Sequence, residues 1–292
     1  MNDRDVSPAD KLALDGRVAV VTGGGGGIGR GIALALAGAG AAVAVGDIVP
    51  ERAQETARRI EKDGGTALPY HLDVMDTERI GAMAAATDER FGAIDILVNN
   101  AGGVSARPFL EQSERSWRRH IDINLVSALA ATSAVVPRMI RGGRGGSVIN
   151  IGSIEGGRAA PNFAVYAACK AALESFTRTM ALELSEHGIR VNAITPDHTV
   201  TPGTMGNRSG PVDPDTWVRP APEAADAMAR LIPLGREGDA AECGDAALFL
   251  ASELASYVTG VVLPVDGGTW AAGGWVRGRD RRWTLNEGLR FG

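Results

Sequence analysis

The stretch Arg17–Gly29 reads RVAVVTGGGGGIG and joins a valine-rich apolar run to five consecutive glycines. Such an apolar run, bounded by glycine, predicts a strand that is buried on both faces. Residues 27–40, GIGRGIALALAGAG, have the character of a helix. A glycine-rich turn between a strand and a helix lets the backbone approach a pyrophosphate, whose charge is stabilised by free N–H groups and by the helix dipole. This stretch therefore predicts a dinucleotide-binding βα unit.

The alternation of strand and helix continues along the chain to Gly268. Further strands are predicted at 41–47, 66–74, 94–102, 146–153, 189–196 and 260–268, and further helices at 51–65, 77–92, 111–141, 162–187 and 240–252. Strands and helices at this spacing form right-handed βαβ units. We therefore predict a single α/β domain over residues 15–268, with a doubly wound, Rossmann-type, seven-stranded parallel sheet that carries helices on both faces. Residues 1–14 are predicted to be an N-terminal extension.

Composition excludes several classes of protein. The net charge of −5 and the pI of about 5.5 disfavour a nucleic-acid partner or an anionic membrane surface. The first fifteen residues lack the apolar run of a signal peptide, and we find no apolar stretch long enough for a membrane span. With only two cysteines, a reducing interior is the default. We therefore expect a cytoplasmic protein that binds neither nucleic acid nor membrane.

An acid at the end of the second predicted strand bears on the choice of cofactor. Asp47 lies 18 residues beyond Gly29, where a carboxylate can accept hydrogen bonds from adenosine ribose hydroxyls. A carboxylate there repels a 2′-phosphate, and no lysine or arginine interrupts the glycine run. The sequence therefore favours NAD(H) over NADP(H).

A tyrosine and a lysine, Tyr166 and Lys170, stand four residues apart on a predicted helix. Residues at this spacing share a helix face, so both side chains can point into one cleft. A free tyrosine is a poor base at neutral pH, whereas a nearby cation favours the phenolate. The pair could equally be a core tyrosine beside a solvated lysine, so the spacing does not decide the matter by itself.

The order of several motifs does decide it. TGxxxGIG follows the first strand, LDV occupies 72–74, NNAG occupies 99–102, Asn124 lies in DINL, Ser153 precedes Tyr166 by 13 residues, and VNAITP ends at Pro196. In this combination the chain resembles the short-chain dehydrogenase/reductase family, in its single-domain branch, over about residues 15–268.

The resemblance implies catalytic roles for four residues. Tyr166 would be the acid/base, and Lys170 would hold the nicotinamide ribose and lower the pKa of the tyrosine. Ser153 would hydrogen-bond the substrate oxygen, and Asn124 would kink its helix and anchor a water that relays protons to Lys170. The resemblance also implies a set of cofactor contacts. These are Gly23, Gly25, Gly26, Gly27, Ile28, Gly29, Asp47, Ile48, Asp73, Val74, Asn100, Ala101, Gly102, Tyr166, Lys170, Pro196, Thr199 and Thr201.

The loop ITPDHTVTP, residues 194–202, contains an acid beside a histidine and superficially resembles half of a hydrolase or metal site. It is similar instead to the PGxxxT segment of the family, whose threonine, here Thr201, holds the nicotinamide carboxamide. Asp197 stands where glycine is more usual, and we expect its carboxylate to point into solvent, although it could bias substrate choice. His198 has no partner for catalysis, and neither it nor the other histidines have spacing that predicts a metal site.

The implied reaction is reversible hydride transfer between nicotinamide and a secondary alcohol or ketone. An acyl-thioester reductase is the next candidate, and a sugar-nucleotide epimerase or a non-catalytic NAD-binding protein is a more distant one. Apolar residues in a predicted lid, residues 203–235, favour an alicyclic or steroid-like alcohol, although the same residues could merely pack the lid. They are Met205, Trp217, Val218, Met228, Leu231 and Ile232.

Two further expectations concern the surface of the molecule. Family resemblance implies a homotetramer, or a homodimer, built through the long helices and the last strand. The tail, residues 269–292, departs from the usual chain end and is rich in arginine and tryptophan. We expect the tail to dock on its own or a neighbouring subunit, with Trp275 and Trp283 covering the substrate cleft.

Overall fold

The computed structural model describes residues 7–285. Within them the strands are β1 (Val18–Thr22), β2 (Ala42–Asp47), β3 (Thr66–His71), β4 (Ile96–Asn99), β5 (Gly146–Ile151), β6 (Ile189–Pro196), β7 (Thr199–Val200), β8 (Gly238–Asp239), β9 (Val262–Val265), β10 (Val276–Arg277) and β11 (Trp283–Thr284). The α-helices are α1 (Pro8–Leu12), α2 (Gly27–Gly38), α3 (Pro50–Lys62), α4 (Thr77–Phe91), α5 (Glu114–Ile121), α6 (Ser127–Gly142), α7 (Ala164–Glu183), α8 (Pro222–Leu231), α9 (Ala240–Ala251) and α10 (Thr269–Ala272).

Seven strands form one parallel sheet in the order β3-β2-β1-β4-β5-β6-β9. The chain builds outward from β1 to β3 and then crosses back, so that β4 pairs with the other side of β1. Ligands of doubly wound sheets bind at such a switch point, outside the carboxyl ends of the strands. The predicted seven-stranded, Rossmann-type fold is confirmed, and its crevice lies between the turns that follow β1 and β4.

Two apolar layers cover the sheet because successive strand residues face opposite sides. Val21 packs in one layer with Leu36 of α2 and Leu250 of α9. Val20 packs in the other layer with Met83 of α4 and Met139 of α6. Strands buried on both faces read as continuous apolar runs, which is why their positions could be predicted from the sequence.

The long helix predicted for residues 111–141 is interrupted. A turn of π-helix at Asp122–Val126 separates α5 from α6. Inside that turn, the Asn124 amide Nδ2 donates to the carbonyls of His120 and Gly103, at 2.9 and 2.8 Å. The asparagine thereby bonds the backbone of its own helix and of a neighbouring loop, and the regular ladder of helix hydrogen bonds is locally displaced.

The stretch Glu114–Gly142 is long and apolar enough to cross a membrane by length and composition alone. Ala131, Val135 and Met139 of this stretch are buried in the second apolar layer. A core helix passes the same test, and packing accounts for its apolar composition.

Candidate active site

The glycine-rich turn lies at the mouth of the crevice. Gly23 and Gly27 have φ values of 64° and 50°, in the left-handed region that favours glycine. A Cβ placed on Gly25 would lie 2.6 Å from Cβ of Arg52 and 2.7 Å from the carboxylate carbon of Asp47. Gly26 caps α2 without any side-chain hydrogen bond to the first turn. The turn therefore suits the pyrophosphate predicted for it, because it offers N–H groups at a helix N-terminus and the five glycines carry no side chains of their own.

Asp47 is held rigidly at the end of β2. Its carboxylate accepts hydrogen bonds from the backbone N–H groups of Gly25, at 3.0 Å, and Val49, at 2.9 Å. The residue is buried, whereas its neighbour Ile48 is 56% exposed. A fixed carboxylate beside the glycine turn is a suitable acceptor for ribose hydroxyls.

The NNAG loop after β4 is fastened to β1. The Thr22 hydroxyl accepts hydrogen bonds from the N–H groups of Asn100 and Ala101, at 3.0 and 3.1 Å. The Asn100 amide donates in return to the carbonyls of Thr22 and Gly23, at 2.9 and 3.1 Å. These bonds hold the two walls of the crevice together. Thr22 is a positioning residue that begins the TGxxxGIG motif but was not among the predicted site residues.

Asn124 and Lys170 converge on the end of that loop. A Cβ added to Gly102 would lie 2.8 Å from Oδ1 of Asn124 and 3.7 Å from Nζ of Lys170. Oδ1 of Asn124 also accepts the N–H of Gly103 at 3.1 Å. The structure thus brings these predicted catalytic residues together at Gly102, which was predicted to line the cofactor.

Lys170 is an ammonium in an apolar setting. Its Nζ donates to the Ile151 carbonyl at 2.7 Å and lies 5.6 Å from the centroid of the Tyr166 ring. The side chain is buried, and burial lowers the pKa of Lys170 to about 8. A buried ammonium destabilises the folded protein, and a contact with a bound ribose would give Lys170 a function that offsets this cost.

Tyr166 and Ser153 form the other half of the site. Ser153 lies two residues after the end of β5 and caps the next turn, where its hydroxyl accepts the N–H of Glu155 at 3.2 Å. Burial raises the pKa of Tyr166 and outweighs the hydrogen bond with Ser153, which lowers it. Glu155 and Asp197 raise the pKa further by their negative charge. The upward direction is opposite to our expectation for a tyrosine beside Lys170, because desolvation of the phenolate is the largest contribution.

The other predicted cofactor contacts lie along the same edge of the sheet. Oδ1 of Asp73 accepts the N–H of Met75 at 3.0 Å, and Val74 beside it is buried. The Thr199 hydroxyl donates to the Asp197 carbonyl at 3.0 Å. Thr201 lies against Gly27, where an added Cβ would come 3.0 Å from the threonine side chain. The segment after β6 therefore reaches the glycine turn, and its predicted contact with the nicotinamide carboxamide stays a prediction.

Asp197 and His198 do not form a hydrogen-bonded dyad. Oδ2 of Asp197 lies 3.7 Å from Nε2 of His198 and 3.9 Å from Nη2 of Arg158. The carboxylate is buried, which corrects our expectation that it points into solvent. Sequence reasoning also missed Glu155 and Arg158, which lie two and five residues after Ser153 and are joined by a 2.8 Å ion pair. Their nearness to Ser153 along the chain was the available signal.

Comparison with known proteins decides the family. Residues 23–269 match a family model described as enoyl-(acyl carrier protein) reductase. A 3β-hydroxysteroid dehydrogenase of Eggerthella lenta is 38% identical over 83% of this chain and 83% of its own length. A 2,5-dichloro-2,5-cyclohexadiene-1,4-diol dehydrogenase of Sphingobium indicum is 37% identical over 91% of this chain and 99% of its own.

The chain belongs to the short-chain dehydrogenase/reductase family. Among solved structures, 7α-hydroxysteroid dehydrogenase in complex with NADH and 7-oxo-glycochenodeoxycholic acid is 35% identical, with a TM-score of 0.81 over 90% of this chain and 98% of that one. As a member of this family the chain is an oxidoreductase that acts on CH–OH donors with a nicotinamide cofactor. Similar structures hold NADH in one case and NADP in another.

In this short-chain dehydrogenase the lid is fastened over the glycine turn. The Arg52 guanidinium on α3 donates to the carbonyls of Gly210, at 2.5 Å, and Asn207, at 2.9 Å. The apolar residues of the lid divide in two, because Ile232 is buried whereas Val218 is 72% exposed. This part of the predicted lid thus rests on the side of the crevice where Asp47 lies.

The tail of this short-chain dehydrogenase starts beside the active site. The Trp270 ring of α10 lies against Gly157, where an added Cβ would come 2.6 Å from it. The hairpin β10–β11 packs near α8, and Arg277 stacks 4.4 Å from the Trp283 ring centroid. Trp275 and Trp283 are 41% and 44% exposed, so their predicted role as a cover stays a prediction. Residues 286–292 of the predicted tail, and residues 1–6 of the predicted extension, lie outside the described residues.

Proposed function

We propose that this oxidoreductase uses NAD(H) to interconvert a secondary alcohol and a ketone, with Tyr166 as the acid/base. The observation that carries the proposal is the convergence of Ser153, Tyr166, Lys170 and Asn124 at the carboxyl edge of the sheet, beside a turn shaped for pyrophosphate. This arrangement joins a proton-transfer group to a cofactor crevice, which is what reversible alcohol oxidation needs.

The bound nicotinamide would supply the hydride chemistry, and this chain's residues supply the rest. In oxidation, the Tyr166 phenolate takes the proton of the substrate hydroxyl at its Oη. In reduction, the Ser153 hydroxyl and the Tyr166 hydroxyl both donate to the carbonyl oxygen and stabilise its developing negative charge. The Ser153 hydrogen bond also favours the phenolate, because it lowers the pKa of Tyr166 against the effect of burial.

Lys170 and Asn124 hold the reacting groups in place. The Lys170 ammonium, anchored on the Ile151 carbonyl, would hydrogen-bond the nicotinamide ribose next to Gly102. Asn124 fixes the backbone of Gly103 on the other side of the same position. The proposed water relay would pass between these two side chains.

Preference for NAD(H) rests on Asp47. The carboxylate is fixed by two backbone N–H groups and is buried, so it cannot swing away from a 2′-phosphate at low cost. Arg52 lies next to it, but its guanidinium is engaged by the carbonyls of Gly210 and Asn207. A 2′-phosphate would therefore be repelled by the fixed carboxylate of Asp47, whereas the Arg52 guanidinium already forms other hydrogen bonds.

We further propose that the substrate is a largely apolar alicyclic or steroid-like alcohol. The named substrates of the relatives from Eggerthella and Sphingobium, a hydroxysteroid and a cyclohexadiene-diol, support this class. A second candidate is reduction of a 3-oxoacyl thioester, which is favoured by the acyl-carrier-protein description of the matching family model. The more distant candidates, an epimerase and a non-catalytic NAD-binding protein, have no observation in their favour.

The assembly and location follow as proposals from the same family membership. We propose a homotetramer, or at least a homodimer, in the cytoplasm. The edge strand β9 pairs on one side only within the described sheet, and Leu182 on α7 is 78% exposed. Both features suit contacts with a second copy of the chain.

The deciding experiment follows the absorbance of reduced cofactor. Wild type, Tyr166→Phe and the matched control Tyr257→Phe are assayed with a panel of secondary alcohols and with NAD⁺ or NADP⁺. Tyr257 is fully exposed, so its loss should leave turnover as it is. We expect NAD⁺-linked oxidation that is lost in Tyr166→Phe alone. Unchanged turnover in Tyr166→Phe would exclude the proposed mechanism, and faster turnover with NADP⁺ would exclude the role given to Asp47.

A further inference from the structure

The carboxylate of Asp197 is buried, and one of its oxygen atoms accepts no hydrogen bond within the described residues. Its side chain is only 9% exposed, and among residues 7–285 its Oδ2 atom has no hydrogen-bond partner. Burial raises the pKa of this carboxyl, against smaller opposing effects of His198, Arg158 and the Thr269 hydroxyl. A buried acceptor without a donor destabilises the folded protein, so such a group in a native structure calls for an explanation.

The nearby nitrogen atoms of Arg158 and His198 do not donate a hydrogen bond to Oδ2. Nη2 of Arg158 lies 3.9 Å from Oδ2, and the same guanidinium forms hydrogen bonds of 2.8 and 3.4 Å with Glu155. Nε2 of His198 lies 3.7 Å away. These separations exceed hydrogen-bond length. The Thr269 hydroxyl interacts with this carboxyl as well, but among residues 7–285 no donor lies within hydrogen-bond length of Oδ2 itself.

The position of this acceptor links it to the reaction. Asp197 directly follows β6 at the carboxyl edge of the sheet, and Glu155 follows Ser153 by two residues. Both carboxylates lie near enough to Tyr166 to raise the pKa of its hydroxyl. Trp270 closes this wall from the tail side, against Gly157. Asp197 thus lies at the same edge of the sheet as Ser153 and is linked to it through Arg158 and Glu155, whose N–H donates to the Ser153 hydroxyl.

The local charges indicate a neutral donor. The Arg158 guanidinium stands within 4 Å of Oδ2, so a cationic group on a substrate would meet positive charge beside its acceptor. A substrate carboxylate would meet both Asp197 and Glu155 and would be repelled. A hydroxyl group is neutral, small and able to donate one hydrogen bond.

We propose that Oδ2 of Asp197 accepts a hydrogen bond from a second hydroxyl of the substrate, so that the enzyme selects alicyclic diols over the corresponding mono-alcohols. The inference rests on the proposed function, since it concerns the same pocket. It goes beyond the proposed function because it assigns substrate specificity to Asp197. A glycine at this position would have no side-chain acceptor for the second hydroxyl.

The test compares substrates that differ by one hydroxyl. Wild type, Asp197→Ala and the matched control Asp63→Ala are assayed with NAD⁺ and with cyclohexanol or the 1,2-, 1,3- and 1,4-cyclohexanediols. Asp63 is exposed at the end of α3, at the opposite edge of the sheet. We expect at least one diol to exceed cyclohexanol in kcat/KM by roughly 10- to 100-fold, the range for a hydrogen bond to a charged acceptor. That ratio should fall to near one in Asp197→Ala only.

Thermal unfolding separates specificity from structure. Because the carboxylate lacks a donor, Asp197→Ala should leave Tm unchanged or raise it. A lower Tm, together with equal loss of activity toward cyclohexanol and the diols, would show a structural ion pair with His198 and overturn the inference. A wild-type enzyme that oxidises cyclohexanol as well as every diol would overturn it too, with the proposed function intact. Absence of NAD⁺-linked oxidation of any alcohol would reject the proposed function, and the inference with it.

Discussion

The backbone N–H of Gly25 donates a 3.0 Å hydrogen bond to Oδ2 of Asp47. This contact joins the turn after β1 to the end of β2, 22 residues further along the chain. The two sequence features that predict a dinucleotide site, a glycine run and a distant acid, are thus one physical unit. A carboxylate positioned in this way is preorganised and loses little entropy when a ligand binds.

Replacing Asp47 tests the cofactor assignment. In Asp47→Ala we expect KM for NAD⁺ to rise by roughly 10- to 100-fold, because hydrogen bonds to a charged acceptor are lost. KM for NADP⁺ should fall, since the charge that repels its phosphate is removed. Initial rates over a range of both cofactors measure the change. Equal effects on the two cofactors would argue that Asp47 only supports the turn.

Removing the Ser153 hydroxyl should change both rate and pH dependence. Burial raises the pKa of Tyr166, and the hydrogen bond from Ser153 opposes that rise. In Ser153→Ala the pKa should therefore be higher still, and the alkaline rise of the oxidation rate should move to higher pH. We expect kcat/KM at neutral pH to fall by about 100-fold, as for the loss of one oxyanion donor. A reduced rate with an unshifted pH profile would contradict the proposed coupling.

The buried charge of Lys170 should lower the free energy of unfolding, although the proposed mechanism needs this residue for activity. The pKa of Lys170 falls from 10.5 to about 8 on folding, so the buried charge destabilises the native state below pH 8. As the pH rises from 8 toward 10.5, the native ammonium loses its proton and the penalty declines.

We therefore expect Lys170→Met to be inactive yet more stable than wild type at pH 7, by about 2 kcal/mol after loss of the Ile151 hydrogen bond. The advantage should shrink at pH 10. Denaturant unfolding at the two pH values measures it, with the exposed Lys62→Met as control. A destabilised Lys170→Met at pH 7 would show that the lysine contributes more through packing and hydrogen bonding than its charge costs.

Arg52 should control closure of the lid. Its two hydrogen bonds to the carbonyls of Asn207 and Gly210 are the contacts that tie α3 to the lid in this structure. In Arg52→Ala we expect faster proteolysis of residues 203–216 and a KM for substrate raised by about tenfold. The control is Arg58→Ala, from the exposed side of the same helix. If both variants are cut at the same rate, the two bonds do not hold the lid.

The strands and the catalytic residues were predictable for different reasons. A parallel strand buried on both faces must be largely apolar, so the five inner strands are visible as short apolar runs, whereas the edge strands β3 and β9 are partly exposed. Tyr166 and Lys170 lie on one helix, and their four-residue spacing already sets their relative position. The break at Asp122–Val126 was not located from periodicity, because the bonds that stabilise it reach Gly103, in a different part of the chain.

The environment of Asp197 was the feature that sequence reasoning placed wrongly. A residue in a loop that breaks the family pattern was expected to face solvent, whereas the fold buries it between Arg158, His198 and the start of the tail. Trp270 illustrates the same limit, since its partner Gly157 lies more than a hundred residues away along the chain.

By itself the sequence determined the sheet, the crevice at its switch point and the family, because these depend on local apolar runs, turns and helical spacing. Only the tertiary structure decided the upward shift in the pKa of Tyr166, the closure of the lid on Arg52 and the buried acceptor at Asp197. Each of these depends on desolvation and on charges brought together from distant segments, and neither quantity is defined until the chain has folded.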